Sequence, residues 1–202
     1  MATQRKPEWH SFASIVLVCV IFGALAILVF VPVNVFETVR AVEQNSIRNW
    51  LGNEADQWVM LRIFDVLRIT NQEATKSIGE LALSGNHKID SWLVQRVYAT
   101  LVWVHLVAYR SGVLLMWAAF GVPVLLAAIY DGYMRREISK TNFSSQSPML
   151  HKSGIDVFRA AIALMVAWLL IPWHTSMLVA PTGFFTIGAA AWLWISNAPK
   201  RM

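Results

Sequence analysis

The chain has 202 residues, of which 56% are apolar and only 14% charged, where a soluble domain carries about 25% charged residues. That composition excludes a water-soluble globular domain, which would have to hide several apolar runs of about 18 or more residues. The net charge of +5 does not describe a nucleic-acid surface, because the basic residues are either matched by acids or sit beside apolar runs.

Residues 1–11 form a polar tail with Arg5 and Lys6. An uncharged apolar run from Phe12 to Val33 follows. It is longer than the apolar core of a signal peptide, and no small-residue cleavage site comes after it. Residues 12–33 are therefore expected to be a retained first transmembrane helix. The single cysteine, Cys19, lies within it and excludes an internal disulfide.

Residues 34–110 carry eight basic and eight acidic side chains and so have no net charge. Ile47, Trp50, Leu51 and Trp58, then Met60, Ile63, Phe64 and Leu67, recur at helical spacing. Charges at three-residue steps, Glu37–Arg40–Glu43 and Arg62–Asp65–Arg68, suit exposed helix faces. Ser84-Gly85-Asn86-His87 reads as a break, and Asp90 or Ser91 as the N-cap of a helix starting at Trp92. This region is expected to be a small helical domain whose apolar stripe packs on itself, on the membrane or on a partner.

The helix from Trp92 is an approach segment to a second span at 111–130. His105 and Arg110 are the candidate residues at that membrane boundary, reaching the interface or pairing within the approach helix. Gly121 and Pro123 lie inside the span, where proline tends to kink the helix. A polar connection occupies 131–156. Residues 157–173 and 177–195 are the third and fourth spans, folded as a hairpin about Trp173–Ser176, with Pro172 and Pro181 near the bend. Ala160, Ala163 and Ala167, and the run Gly188–Ala191, offer small faces for close helix packing. Residues 196–202 are a tail with Lys200 and Arg201.

Short-loop Lys and Arg set orientation. Arg5 and Lys6, then Arg135, Arg136, Lys140 and Lys152, then Lys200 and Arg201 all fall on one side if there are four spans. The 174–176 turn has neither residue. The expected fold class is an all-α membrane protein, with four transmembrane helices and a helical periplasmic domain between the first and second. It would lie in a bacterial inner membrane with both termini cytoplasmic.

Asp131-Gly132 followed by Arg135-Arg136 partly resembles the opening of the metal motif of CDP-alcohol phosphatidyltransferases, which has an Ala-Arg pair where the two arginines stand. The later glycine and aspartates of that motif are replaced by Ser145, Met149 and Ser153, so half of the carboxylate set that a hard cation needs is missing. The histidines show no metal-ligand spacing. No catalytic residue, metal or cofactor is expected. The candidate contact residues are Asp131, Arg135, Arg136, Glu137 and His151. For the two arginines, topology and anionic lipid alone already account for basic residues at that place.

The segment Asp131-Gly132-Tyr133-Met134-Arg135-Arg136-Glu137-Ile138, with the serine-containing stretch and Met149-Leu150-His151 after it, resembles the integrating conjugative element membrane protein family. The order of spans and the Pro172/Pro181 hairpin follow the same plan. The resemblance implies a non-catalytic subunit encoded with conjugative type IV secretion genes. Its implied partners are the type IV coupling ATPase or other conjugation-channel membrane proteins, with no direct nucleic-acid binding. Two other classes fit a small multi-span chain: a transporter or channel subunit, and an enzyme acting on lipid head groups.

Overall fold

A computed structural model describes residues 9–81, 87–142, 147–176 and 178–199. Among them are six helices and no strand: α1 (Trp9–Phe30), α2 (Val33–Leu51), α3 (Asn53–Leu81), α4 (His87–Thr141), α5 (Pro148–Leu170) and α6 (Val179–Ser196). Three helical segments are long and apolar enough to cross a membrane: Ser91–Thr141 within α4, then α5 and α6. The pair α1–α2 makes a fourth if it counts as one span, broken and bent by 108°. The described residues are thus all-helical, with three to four candidate spans among them, consistent with a multi-pass membrane protein.

The breaks have local causes. Pro32 stands at the N-cap of α2 in extended conformation. It supplies no amide hydrogen to continue α1 and disfavours helical conformation at Val31. Gly52 joins α2 to α3 with φ of +87° and donates its amide hydrogen to Arg48 O, a conformation that a side chain would strain. Ser147 caps α5 by accepting from the Leu150 amide, with Pro148 as the first helical residue.

α4 is the axis of the molecule. Its 55 residues amount to about 82 Å of helix, far more than the roughly 30 Å of a bilayer core. Approach segment, span and the start of the polar connection are one continuous helix. The expected cap at Asp90 or Ser91 is not where it begins, since α4 already runs from His87. Nothing in Lys88-Ile89-Asp90-Ser91 breaks a helix. The 82–86 part of the expected break lies outside the described residues. Pro123 sits within α4 without ending it. Gly132 does not end it either, because one helical glycine costs only about 1 kcal/mol. Met134, Arg135, Arg136 and Glu137 then favour continuation.

The other helices pack around α4. α6 runs parallel to it: Gly121 abuts Phe184, Gly188 lies against Leu125 and Ala128, and Gly132 abuts Trp192. α5 runs antiparallel to α6, with Gly154 against Ala190 and Trp194, and Phe158 against Trp194. α3 runs antiparallel to α4, with Val59 and Ile63 against Gly112. One apolar cluster joins Ile47, Val59, Ile63, Tyr109, Val113 and Ala180. A second joins Phe36, Ala99 and Val102. The apolar stripe of the 34–110 region therefore packs chiefly on α4. Of the small residues singled out in the sequence, Gly188, Ala190 and Ala191 are buried. Ala160 is exposed, and Ala163 and Ala167 line a groove between α5 and α1.

The three-residue charge steps divide. Arg62, Asp65 and Arg68 are exposed as expected. Glu37–Arg40–Glu43 is not an exposed face, since Glu43 is 7% exposed and Arg40 half-buried. Phe36, Val39, Glu43 and Ile47 are the buried residues of α2, and their three- and four-residue spacing puts the carboxylate on the apolar stripe.

At Gly154 an added Cβ would lie 2.6 Å from Trp194 N, whereas at Gly79 it would meet nothing within 4 Å. Gly154→Val should lower stability by about 1–3 kcal/mol, read as a lower melting temperature in detergent. Gly79→Ala, in an exposed helix interior, should be neutral or raise stability by up to about 1 kcal/mol.

Candidate functional site: arginine clamps along α4

A helix ends in carbonyls without intrahelical partners and carries partial negative charge there. α1, α5 and α6 have no basic residue in their own last turns. At α1 and α5 an arginine of α4 serves the end instead. Arg96 Nη1 lies 3.2, 3.0 and 3.1 Å from the carbonyls of Leu28, Val29 and Val31 at the end of α1. Arg136 Nη2 donates to Pro199 O, just past α6, at 3.2 Å.

Arg110 makes the most extensive clamp, and it is 1% exposed. Its Nε and Nη2 donate to the two Glu43 carboxylate oxygens at 3.0 and 2.6 Å. Nη1 donates to Trp168 O and, at 2.7 Å, to Ile171 O; Nη2 also donates to Trp173 O at 2.9 Å. The guanidinium lies 5.4 Å from the centre of the Trp168 ring. One side chain thus joins α2, α4, the end of α5 and the turn into α6. Arg110 does not pair within its own helix; its carboxylate comes from α2. Trp103 Nε1 adds a bond of 2.9 Å to Leu170 O at the same helix end.

His105 is also buried, but it does not meet Arg110. Five residues apart on a helix, the two point about 140° apart. Arg40 Nη1 approaches His105 Nδ1 at 3.4 Å, and Thr70 Oγ1 approaches Nε2 at 3.4 Å. Arginine can only donate, so Nδ1 accepts and Nε2 carries the hydrogen. A second buried carboxylate, Asp56, accepts from Arg48 Nε at 2.7 Å, Gln44 Nε2 at 3.2 Å and Tyr109 Oη at 3.0 Å. It ties the start of α3 to α2 and α4.

At the other end of α4, the polar segment gathers on α6. Asp131 Oδ2 accepts from Trp192 Nε1 at 2.6 Å. The Arg135 guanidinium stands 4.9 Å from the centre of the same ring. His151 Nδ1 lies 3.1 Å from Trp194 O, and Glu137 pairs with Lys140 at 2.5 Å. Four of the five candidate contact residues, Asp131, Arg135, Arg136 and His151, therefore converge on residues 192–199. Glu137 stands apart. Asp131 and Arg135 each engage Trp192. Among the described residues no three His, Cys, Asp or Glu side chains come together as a metal site.

Glu43 and Asp56 are what the sequence reading missed. For Glu43 a signal existed: it falls in register with Phe36, Val39 and Ile47. For Asp56, three residues before Val59 and seven before Ile63, the same register argument holds. The mates on α4 and α5 leave no local trace.

Removing one member of a buried ion pair leaves the other charge stranded, at a cost of about 3–5 kcal/mol. Arg110→Met and Glu43→Leu should each destabilise the protein by that order. The double variant should recover part of the loss, because no charge is left unpaired. Recovery should be incomplete, since the carbonyls of Trp168, Ile171 and Trp173 lose their donor. Thermal unfolding of all four proteins in one detergent measures the coupling.

Comparison with curated proteins finds no match, and neither does comparison with solved structures. A family model does match, over residues 49–197, and it describes DtrJ-like proteins, the IncC plasmid conjugative DNA transfer protein DtrJ and its kin. That stretch holds α3 to α6, with Arg96, Arg110 and Arg136 and the ends of α5 and α6. The chain belongs to the DtrJ-like family of conjugative DNA transfer proteins.

Proposed function

We propose that this protein is a non-catalytic inner-membrane subunit of a conjugative type IV secretion apparatus, and that it docks the coupling ATPase or a neighbouring membrane protein of the channel. The observation that carries this reading is membership of a conjugative transfer family in a chain with three to four candidate spans. The likeness of residues 131–138 to integrating conjugative element membrane proteins points the same way.

In this reading the termini and the 131–156 connection face the cytoplasm, and α2–α3 with the first part of α4 stands in the periplasm. Arg135, Arg136, Lys140 and Lys152 support that orientation, as does the absence of Lys and Arg from the 171–178 turn. Arg110 and Asp131 are twenty-one residues apart on one helix, about 32 Å, close to the thickness of a bilayer core. The α5–α6 turn meets α4 at the first level and Trp192 meets it at the second.

The cytoplasmic end of α4 is suited to docking. Trp192 holds Asp131 and Arg135 in place, so their positions are set before a partner arrives, which lowers the ordering cost of binding. Beside them Tyr133, Met134 and Ile138 are exposed, giving a mixed basic and apolar surface.

Reversing charge with Arg135→Glu and Arg136→Glu together should cut plasmid transfer in a mating assay by about tenfold or more, the effect of losing 1.4 kcal/mol of binding. It should also weaken co-purification with the coupling ATPase after mild detergent extraction. Membrane levels of the variant should match the unaltered protein. Unchanged transfer and unchanged co-purification would remove this surface as the contact.

A further inference from the structure

The α2–α3 hairpin points its tip back toward the spans. Along α2, Phe36 packs with Ala99 and Val102, Arg40 meets His105, Glu43 meets Arg110 and Ile47 packs with Tyr109 and Val113. α2 thus descends α4 in step with it. α3 then climbs away, with Val59 and Ile63 at Gly112 and Thr70 at His105. The turn between them, Trp50-Leu51-Gly52-Asn53, is the part of the hairpin that lies farthest along α4. Its depth can be placed against α6, because Ala180 from the first turn of α6 shares the cluster with Ile47, Val59, Ile63 and Val113.

The tip therefore stands at the level of the first turn of α6, where that span begins. Trp50 is 74% exposed there, and Trp173 in the α5–α6 turn is 73% exposed. Leu51, Leu61 and Phe64 on the hairpin are also exposed. Their neighbours Asn49, Asn53 and Glu54 are polar and open. Apolar side chains and an open indole beside uncompensated polar ones suit neither hydrocarbon nor bulk water. They suit the head-group layer, where tryptophan is enriched and amphipathic helices lie with one face inserted.

We propose that the α2–α3 tip is seated in the phospholipid head-group layer on the side of the α5–α6 turn, with Trp50 and Leu51 inserted. This rests on the membrane reading above. It makes the α2–α3 hairpin a part of the protein that touches the membrane at its turn as well as through α1 and α4.

Nitroxide labels on single cysteines test it, in the full chain with Cys19→Ser, reconstituted in phosphatidylethanolamine–phosphatidylglycerol vesicles. Labels at Trp50→Cys and Leu51→Cys report the tip, Phe120→Cys the span, and Gln72→Cys the far part of α3. Collision with oxygen, which partitions into lipid, is compared with collision with a water-soluble nickel chelate. The ratio of oxygen to nickel collision should be highest at 120, lowest at 72, and several-fold above the value of 72 at both 50 and 51. If 50 and 51 match 72 while 120 favours oxygen, the tip is in water and the proposal fails alone. If 120 also favours nickel, the membrane reading fails and the proposal with it. Spin–spin broadening at 50 that disappears on dilution with unlabelled protein would assign the tip to contact with a second copy instead, and overturn the proposal.

Discussion

A guanidinium without water around it must find acceptors for five hydrogens, and Arg110 finds them in four places. Glu43 supplies the counter-charge, and the carbonyls of Trp168, Ile171 and Trp173 supply the rest. None of these groups would be satisfied alone. Glu43 would be a buried carboxylate, and the end of α5 would expose carbonyls in an apolar setting, where each unmet group is costly. The arrangement of α2, α4, α5 and the turn into α6 follows from bringing them to one point. Asp56 does the same at shorter range for α2, α3 and α4.

The arginines of α4 repeat one device along one helix. Arg96 and Arg110 are about four turns apart on nearly the same face, and each takes up the end of an apolar helix that has no basic residue of its own there. Arg136 holds the chain past α6 at Pro199 O, while Asn197 and Ala198 close the last turn of α6. A long helix that carries the donors can thus gather short apolar helices that carry only acceptors. Glycines set the spacing between them: Gly112, Gly121, Gly132 and Gly154 each admit a neighbouring helix where a Cβ would crowd it.

Much of this was legible in the sequence. Apolar runs marked the helices around 12–33, 157–173 and 177–195, and Pro172 marked a bend, because hydropathy and proline act locally; Pro32, taken into the first run, ends it instead. The polar island after Tyr130 was also visible as a distinct element. Its helical form was harder to read, since polar residues between two apolar runs suit a loop as well as the end of a long helix. The same limit applies to Arg110. Its place at the edge of an apolar run was plain, but its partner lies sixty-seven residues away. Burial of Glu43 is the instructive case: charge alternation suggested an exposed face, while the register with Phe36, Val39 and Ile47 pointed inward. The register decided, because Arg110 made the inward position tolerable.

Chain order gives the Arg110 clamp a direction in time. Glu43 is synthesised before Arg110, and the carbonyls of residues 168–173 come after both. When α4 first enters an apolar environment, its central charge already has a carboxylate to neutralise it, but three of its acceptors do not yet exist. The arrival of the α5–α6 hairpin completes the set, so the hairpin locks a helix that was already electrically balanced. Along the chain, Arg110 is thus preceded by its counter-charge and followed by its carbonyl acceptors.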